Sequence, residues 1–270
     1  MDHDGSAFRP FDPARARALR RTGGFSAIDL RDQTASTNAD AAARLGERDA
    51  NGVTIFADYQ QAGAGRKGRR WIAAPQTALL FTTILREPLD VGSLWAVPFW
   101  TALAVADAIE AAAGVRVALK WPNDLLLGDA KCCGILCVSR VAGDRAYVGC
   151  GVGIDVIRPG EPHVVAGIEP PPAFLRDVAP ALEREALFAA ILDRFDADES
   201  ALHQPDAIAR RWETRAALDG TPYHVYLDAD GLQRRGIARR LGPAGELMLD
   251  IDGAETAIDL ADARVVRASA

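Results

Sequence analysis

Long apolar segments are missing from this 270-residue sequence, which contains no run of about 18 apolar residues. The amino-terminal stretch MDHDGSAFRPFDPARARALRR is polar throughout and lacks the apolar centre of a secretory signal peptide. These absences argue against a membrane-spanning or secreted protein, so we expect a cytoplasmic one. Apolar residues make up 49% of the chain, as in ordinary globular proteins, and the length accommodates one large and one small domain.

Cysteine is scarce, and its spacing argues against a metal site. The four cysteines, Cys132, Cys133, Cys137 and Cys150, include no CxxC pair and have no histidine near them in the sequence. We therefore interpret them as reduced, small apolar residues of buried strands, and not as zinc ligands or a redox pair.

A positive net charge is also missing: the formal net charge is -6 at pH 7, which argues against general nucleic-acid binding. Against this background residues 63–71, GAGRKGRRW, are unusual, because they hold four cations and no acidic residue occurs from 61 to 74. The three glycines let backbone N–H groups turn toward a ligand, and the cations predict that this ligand is an anion. The alternative is a flexible, solvated charged loop.

The same stretch contains G-x-G-x-x-G, a fingerprint of dinucleotide-binding folds, but its context does not fit. A β-branched strand at 53–60 precedes it, and Glu87 lies at about the expected distance of a ribose-binding acid. The helix that must follow is missing, because only nine residues separate Gly68 from the next apolar strand at 78–85, and they include Pro75. The sequence therefore argues against a dinucleotide-binding fold.

Most of the chain alternates strand and helix patterns. The expected elements are a strand at 26–30, a helix from about Asn38 with Ser36 or Thr37 as its N-cap, strands at 53–60 and 78–85, a helix at 93–114, and strands between 115 and 156. The helix at 93–114 is apolar nearly all round, which predicts that it is buried against a sheet. From Asp219 onward, short alternating strands with tight turns predict a compact β-barrel of about 45 to 50 residues.

Three further motifs place polar side chains at the ends of predicted strands. KWPND presents Lys120, Asn123 and Asp124 beside a Trp-Pro pair, KCCGIL begins with Lys131, and GVGID ends in Asp155. Each motif alone has an ordinary explanation, namely a turn, an edge lysine and an irregular strand end.

Together and in this order, the motifs resemble those of the biotin protein ligase family, which is related to the lipoate ligases. The likeness runs from about Ile28 to Val265 and includes STN at 36–38, YQQAG.GR.GR.W at 59–71, KWPND and K..GIL. It implies an α+β fold, in which a mixed β-sheet flanked by helices, similar to class II aminoacyl-tRNA synthetases, precedes a small β-barrel of the Src-homology type. The implied domains are an N-terminal extension at 1–25, a catalytic domain at 26–219 and the barrel at 220–270.

The resemblance implies an enzyme that works in two steps. The carboxylate of biotin attacks the α-phosphate of Mg²⁺-bound ATP to give biotinyl-5′-AMP, and a lysine of a biotin carboxyl carrier protein domain then accepts the biotinyl group. The implied partner is a biotin-dependent carboxylase, and neither DNA nor a membrane is expected. Some relatives carry an N-terminal helix-turn-helix domain, for which the roughly 25 residues before the first strand are too few.

The resemblance also assigns residues. Lys131 and Arg66 are the cations expected to hold carboxylate and phosphate together, and Asp124 is expected to meet the acceptor lysine as base or orienting group. The residues expected to contact biotin are Ser36, Thr37, Asn38, Gln60, Gly65, Arg66, Lys131 and Gly134. The residues expected to contact ATP or the adenylate are Arg66, Arg69, Trp71, Lys120, Asn123 and Asp155, and Asp155 is also the candidate Mg²⁺ ligand.

Two residues depart from the family pattern: Ala64 stands where the loop usually has arginine, and Asp155 stands where an asparagine is usual. Both changes bear on the affinity for ATP or Mg²⁺. Two alternative functions stay open. One is a lipoate or octanoate ligase of the same fold, although the STN motif and the basic loop argue against those substrates. The other is a non-catalytic protein that has kept the biotin pocket.

Overall fold

The computed structural model describes residues 9–161, 168, 171–227, 233–259 and 263–267, and every structural statement below concerns these residues. The larger of two β-sheets is built from β1 (Ala27–Arg31), β2 (Val53–Ala57), β3 (Ala78–Ile84), β4 (Leu89–Asp90), β5 (Ala118–Lys120), β6 (Asp124–Leu127), β7 (Ala130–Ala142) and β8 (Arg145–Asp155). Its strand order is β1-β2-β3-β8-β7-β6-β5, with β4 paired to β8. The β1–β2 pair is parallel, and the other pairs are antiparallel. The predicted mixed sheet is therefore confirmed.

Helices cover both faces of this sheet. They are α1 (Pro13–Leu19), α2 (Thr37–Arg44), α3 (Val97–Ala113), α4 (Arg184–Asp198) and α5 (Pro205–Ala216). Helix α2 contacts β2, β3, β7 and β8, whereas α3 contacts β5 to β8 and is itself packed against α4 and α5. The larger sheet is thus sandwiched between α2 on one face and the α3 layer on the other.

Helix α3 is apolar nearly all round because it is buried. The segment Val91–Ala113 is long and apolar enough to cross a membrane, but 67% of its most apolar stretch is buried inside the protein. Burial in the protein core accounts for the apolar surface of α3 without a membrane. The expectation that this helix packs against a sheet is confirmed.

Residues 9–20 pack onto the same core. The Phe11 ring stacks on Phe56 with centroids 4.0 Å apart and meets the edge of Phe188 at 5.2 Å. Beneath them the buried Arg184 guanidinium lies 2.7 Å from Asp58, which also accepts a hydrogen bond from the backbone N–H of Phe11 at 2.8 Å. A buried carboxylate with both a cation and an N–H donor is well compensated for desolvation, so this pair ties the amino-terminal segment to β2 and α4.

The smaller sheet contains β9 (Pro222–Leu227), β10 (Gln233–Leu241), β11 (Leu247–Ile251), β12 (Ala254–Ile258) and β13 (Ala263–Arg267). All its pairs are antiparallel, in the order β12-β11-β10-β9-β13. A small carboxyl-terminal β-domain is therefore confirmed, while residues 228–232, 260–262 and 268–270 of the predicted barrel lie outside the described residues.

Hydrogen bonds that involve side chains join the smaller sheet to the rest. The fully buried Trp121 donates from Nε1 to the carbonyl of Gly245 in the β10–β11 turn at 3.0 Å. The backbone N–H of Leu241 donates to Glu213 of α5 at 2.5 Å. The smaller sheet thus lies directly against the KWPND motif.

Two predictions about local structure are confirmed within the described residues, namely the path of the chain after Gly68 and the position of the cysteines in buried strands. After Gly68 the chain continues through turns and extended backbone into β3, so the helix of a dinucleotide-binding motif is absent from residues 69–77. All four cysteines are free, and Cys132, Cys133 and Cys150 are buried in β7 and β8. Burial raises the pKa of Cys132 to about 12 and that of Cys133 well above its usual range, which suits unreactive core residues.

Candidate active site

The sequence motifs converge on the face of the larger sheet that carries α2. A Cβ added at Gly149, Gly151 or Gly153 of β8 would meet Ala41, Asn38 or Trp71 respectively. Cys150, between two of them, lies near the Thr101 side chain of α3 on the opposite face. Because side chains alternate along a strand, the odd-numbered glycines leave space on the α2 face where the motif residues gather.

One part of the site, here called the hydrogen-bonded side, consists of Thr37, Asn38, Gln60 and Thr82. The backbone N–H and the hydroxyl of Thr37 donate to Gln60 Oε1 at 2.7 and 3.1 Å. The buried Thr82 hydroxyl donates to Asn38 Oδ1 at 2.7 Å and lies 2.9 Å from Thr37 Oγ1. Asn38 in turn donates to the Leu136 carbonyl of β7 at 2.9 Å. These polar groups hold one another in fixed directions before any ligand arrives.

Sequence reasoning missed two residues on this side. Thr82 is fully buried within the apolar strand ALLFTTI, and a hydroxyl in such a run was the available signal. Gly151 is the other, because a Cβ there would collide with the Asn38 side chain and the Leu136 carbonyl. Its role depends on which residue of α2 packs against it, and this contact cannot be predicted from the sequence.

The basic loop at 63–71 is an ordered, hairpin-like turn. Trp71 donates from its backbone N–H to the Gly63 carbonyl at 2.8 Å, and Gly65 donates to the Arg69 carbonyl at 2.7 Å. A short 3₁₀ turn, Arg66–Gly68, closes the tip, with Lys67 at φ 54° and Gly68 at φ 71°. Glycine takes such positive φ values without strain, which explains Gly68.

A second part of the site, here called the charged side, consists of Arg66, Lys120, Asp124 and Lys131. Lys131 Nζ lies 2.5 Å from Asp124 Oδ1, and Lys120 Nζ lies 3.5 Å from the other oxygen, Oδ2. Strand pairing fixes this arrangement, since Lys120 opposes Asp124 across β5 and β6. Burial opposes the charge on Asp124, but the two ammonium groups outweigh it and lower its pKa.

Arg66 reaches the charged side from the loop. Its guanidinium lies 3.5 Å from Asn123 Oδ1, and burial lowers its pKa against the attraction of Asp124. Asn123 is itself held by β7, because it donates to the Ile135 carbonyl at 2.6 Å and accepts from the Ile135 N–H at 2.9 Å. Three cations therefore surround one ionised carboxylate here.

The Trp71 indole forms the floor between the two sides. It lies so close to the sheet that a Cβ at Gly134 or Gly153 would come within 2.8 Å of its ring. Lys131 Nζ is 5.4 Å from the ring centroid, within cation–π range. Its buried Nε1–H has no hydrogen-bond partner among the described residues, and a buried donor of this kind is suited to an acceptor on a ligand.

Asp155, at the end of β8, differs from Asp124. Its side chain is 7% exposed and has no hydrogen bond or ion pair within the described residues. Burial raises its pKa to about 8, with only Lys131 acting in the opposite direction. The described residues contain no group of three metal-ligating side chains, so Asp155 offers a single carboxylate to a metal ion.

The structure thus brings together most of the predicted site residues. Thr37, Asn38 and Gln60 meet on the hydrogen-bonded side, Arg66, Lys120, Asn123, Asp124 and Lys131 on the charged side, and Trp71 and Gly134 between them. Ser36 is buried at the start of α2, where its side chain makes no capping bond. Gly65 serves the loop turn through its backbone, and Arg69 is exposed at the loop surface.

Residues 31–155, which hold these motifs, match the model of the biotin/lipoate A/B protein ligase family. A biotin--[acetyl-CoA-carboxylase] ligase of Mycobacterium tuberculosis is 30% identical over 96% of this chain and 97% of its own length. One of Paracoccus denitrificans is 30% identical over 80% of this chain and 91% of its own length.

Solved structures agree on the fold. Biotin protein ligase from Aquifex aeolicus in complex with biotin and ATP superposes with a TM-score of 0.71 at 20% identity, covering 90% of this chain and 99% of that one.

Proposed function

The chain belongs to the biotin protein ligase family, and on this premise we propose that it activates biotin with ATP and transfers it to a carrier protein. The observation that carries this proposal is the placement of the two sides of the site along β7. The Leu136 carbonyl of β7 accepts a hydrogen bond from Asn38 of the hydrogen-bonded side, and Lys131 of the same strand belongs to the charged side. A ligand with a polar ring at one end and a carboxylate at the other fits such a site.

The hydrogen-bonded side suits the ureido ring of biotin, which has both N–H donors and a carbonyl acceptor. Gln60, Asn38 and the Thr37 and Thr82 hydroxyls offer both kinds of partner at fixed positions. A ring without these groups would leave the remaining donors and acceptors of these side chains unmet, and an unmet buried hydrogen bond costs about 1–3 kcal/mol. This chemistry favours biotin over lipoate or octanoate.

The charged side suits the first half-reaction. A carboxylate and a triphosphate repel each other, so cations must neutralise both and hold them in line for attack at the α-phosphate. Lys131 and Arg66 are assigned to this role, with Lys120 and Asn123 at the phosphates. The carboxylate oxygen of biotin forms the new bond to phosphorus, and pyrophosphate leaves as the α–β phosphoanhydride breaks.

Trp71 and Asp155 complete the proposed nucleotide site. The Trp71 ring offers a flat surface to the adenylate, with Arg69 at its outer edge. Asp155 is proposed as a ligand of the Mg²⁺ that accompanies ATP, because a buried carboxylate without a partner fits an oxygen ligand of a cation. Mg²⁺ commonly binds through one or two carboxylates and substrate phosphates, and it neutralises phosphate charge when bound.

The second half-reaction is assigned to Asp124. The acceptor lysine must lose a proton to attack the acyl carbon of biotinyl-5′-AMP, and AMP then leaves with its phosphate oxygen. Asp124 lies next to Lys131, the residue assigned to the reacting carboxyl group, with 2.5 Å between Asp124 Oδ1 and Lys131 Nζ. A carboxylate there takes up the amine proton or orients the amine.

The proposed acceptor is the biotin carboxyl carrier protein domain of a biotin-dependent carboxylase, and the proposed location is the cytoplasm, with no DNA or membrane partner. We also propose that residues 26–219 are the catalytic domain and 220–270 the small β-domain. Residues 1–25 are proposed as an extension, of which residues 9–20 pack on the core.

The test is the release of pyrophosphate from Mg-ATP in the presence of biotin, lipoate, octanoate or no acid. Biotin alone should support release, and adding a carrier domain should yield a biotinylated lysine detectable by mass spectrometry. Release with lipoate or octanoate but not with biotin would contradict the proposal. Binding of biotin without release or transfer would favour a non-catalytic binding protein.

A further inference from the structure

The charged side holds an ion pair that competes with the reaction proposed for it. Lys131 is assigned to the substrate carboxylate, yet in the structure its ammonium group lies 2.5 Å from Asp124 Oδ1. Both side chains are partly shielded, with 29% and 14% of their area exposed. The pair is therefore not a fully solvated surface contact of negligible strength.

Asp124 has a second cation, Lys120, which the proposed function places at the phosphates of ATP and which biotin alone does not need. Lys120 lies 3.5 Å from Asp124 Oδ2, on the side away from Lys131. If Lys131 leaves, Asp124 keeps Lys120 and is not left as an isolated buried charge, which would cost several kcal/mol. The structure thus allows Lys131 to change partners while Asp124 stays compensated.

We propose, on the basis of the function proposed above, that Asp124 is an internal substitute for the substrate carboxylate. When biotin binds, Lys131 leaves Asp124 and pairs with the carboxylate of biotin. Two ammonium groups and one carboxylate leave a net charge of +1 on this triad. The carboxylate of biotin then brings the net charge to zero, with one cation for each anion.

The exchange also orders the two half-reactions. While Lys131 is held by Asp124, the carboxylate has two cations beside it and is a weak base. After Lys131 has moved to the acyl-phosphate, Asp124 has only one of its two neighbouring cations left. Its pKa therefore rises, and the carboxylate accepts a proton more readily. Asp124 thus gains basicity at the stage when an amine must be deprotonated, and it is unavailable to amines in the empty site.

The experiment compares two ligands that differ only at the reacting end: biotin, and biotinol, in which an alcohol replaces the carboxylate. Calorimetry without nucleotide gives the dissociation constants of both for the wild type and for Asp124→Asn. Freed from its internal partner, Lys131 should bind biotin about tenfold more tightly in the variant, the worth of one charge-assisted hydrogen bond. Biotinol binding should change by less than about twofold, because it lacks the competing charge.

Lys120→Gln provides a second variant with the opposite expectation. Without Lys120, Asp124 must hold Lys131 more firmly, so biotin should bind more weakly relative to biotinol. Circular dichroism confirms folding of each variant, and this second variant tests the inference even if Asp124→Asn does not fold.

An unchanged ratio of the two dissociation constants in both variants would overturn the inference while leaving the proposed function intact. Equal shifts for biotin and biotinol would do the same, since they indicate a change of pocket shape. A wild-type protein that binds neither ligand and releases no pyrophosphate would overturn the proposed function, and the inference with it.

Discussion

The two sides of the site solve different physical problems. On the hydrogen-bonded side, polar side chains satisfy one another, with Thr37, Asn38, Gln60 and Thr82 linked at 2.7–3.1 Å. On the charged side, cations outnumber ionised carboxylates, and the Trp71 Nε1–H beside them is unpaired within the described residues. The hydrogen-bonded side therefore determines which ring shape and polar groups fit, whereas the charged side has excess positive charge that can bind an anion.

This contrast has a consequence for mutation. A change on the charged side removes electrostatic stabilisation that the transition state needs most, so it should lower the rate. A change on the hydrogen-bonded side removes contacts present in both ground and transition states, so it should weaken binding. Each prediction below tests one side against the other.

The largest effect is expected for Lys131→Ala. Carboxylate and phosphate would meet without the charge between them, and adenylation should fall by about a hundredfold or more. Biotin-dependent pyrophosphate release measures this rate. The matched control is Lys67→Ala, which removes an exposed lysine of the basic loop and should leave the rate near that of the wild type. Near-normal release by Lys131→Ala would show that this lysine is only an edge residue.

Gly151→Ala should produce the next largest effect, and it should change the affinity for biotin and not the rate of adenylation. The new methyl group would collide with Asn38 and the Leu136 carbonyl, so the affinity for biotin should fall by about tenfold or more. Calorimetry with biotin alone measures this loss. Gly92→Ala is the control, because a Cβ at Gly92 meets nothing within 4 Å. Equal losses in rate and affinity would contradict the division between the two sides.

Arg66→Ala should have a smaller effect on turnover and a clear one on fidelity. If the loop covers the adenylate through Arg66, its loss should let biotinyl-5′-AMP escape and react with lysines of unrelated proteins. Mass spectrometry of bystander albumin, added with and without a carrier domain, measures this labelling. Unchanged labelling with normal turnover would indicate a solvated loop that does not retain the intermediate.

The smallest effect is expected for Asp155→Asn. If Asp155 binds Mg²⁺, an amide should raise the Mg²⁺ concentration for half-maximal adenylation by several-fold, since Mg²⁺ prefers charged oxygen ligands. The affinity for biotin without nucleotide should stay the same. A magnesium titration of pyrophosphate release decides the matter, and a wild-type curve would remove Asp155 from the metal site.

Local sequence patterns predicted the pieces of the site better than their mutual contacts. The glycine-rich loop, the lysine at the start of β7 and the carboxylate at the end of β8 were visible because each depends on neighbours along the chain. The contact of Trp71 with Gly134 and Gly153 was not, because it depends on how β7 and β8 pair beneath a distant loop. Thr82 was missed for the same reason, since α2 supplies its partners.

Strand ends show the same limit. The strand expected at 53–60 ends at Ala57, and Gln60 instead forms an isolated parallel bridge with Thr34. The first of the strands expected between 115 and 156 begins at Ala118. The first difference arises where Gln60 leaves the sheet to accept hydrogen bonds from Thr37, and tertiary contacts override strand propensity there.

The bond from the Trp121 indole to the Gly245 carbonyl bears on how the two domains can diverge. Its donor is a particular side chain, but its acceptor is a backbone atom that every residue type possesses. The hydrogen bond itself therefore does not restrict which residues form the turn between β10 and β11, whereas the backbone does, because Gly245 has φ 84° and glycine takes that conformation without strain. In a chimaera that takes its carboxyl-terminal domain from a relative, the geometry of this turn would matter more than its sequence identity.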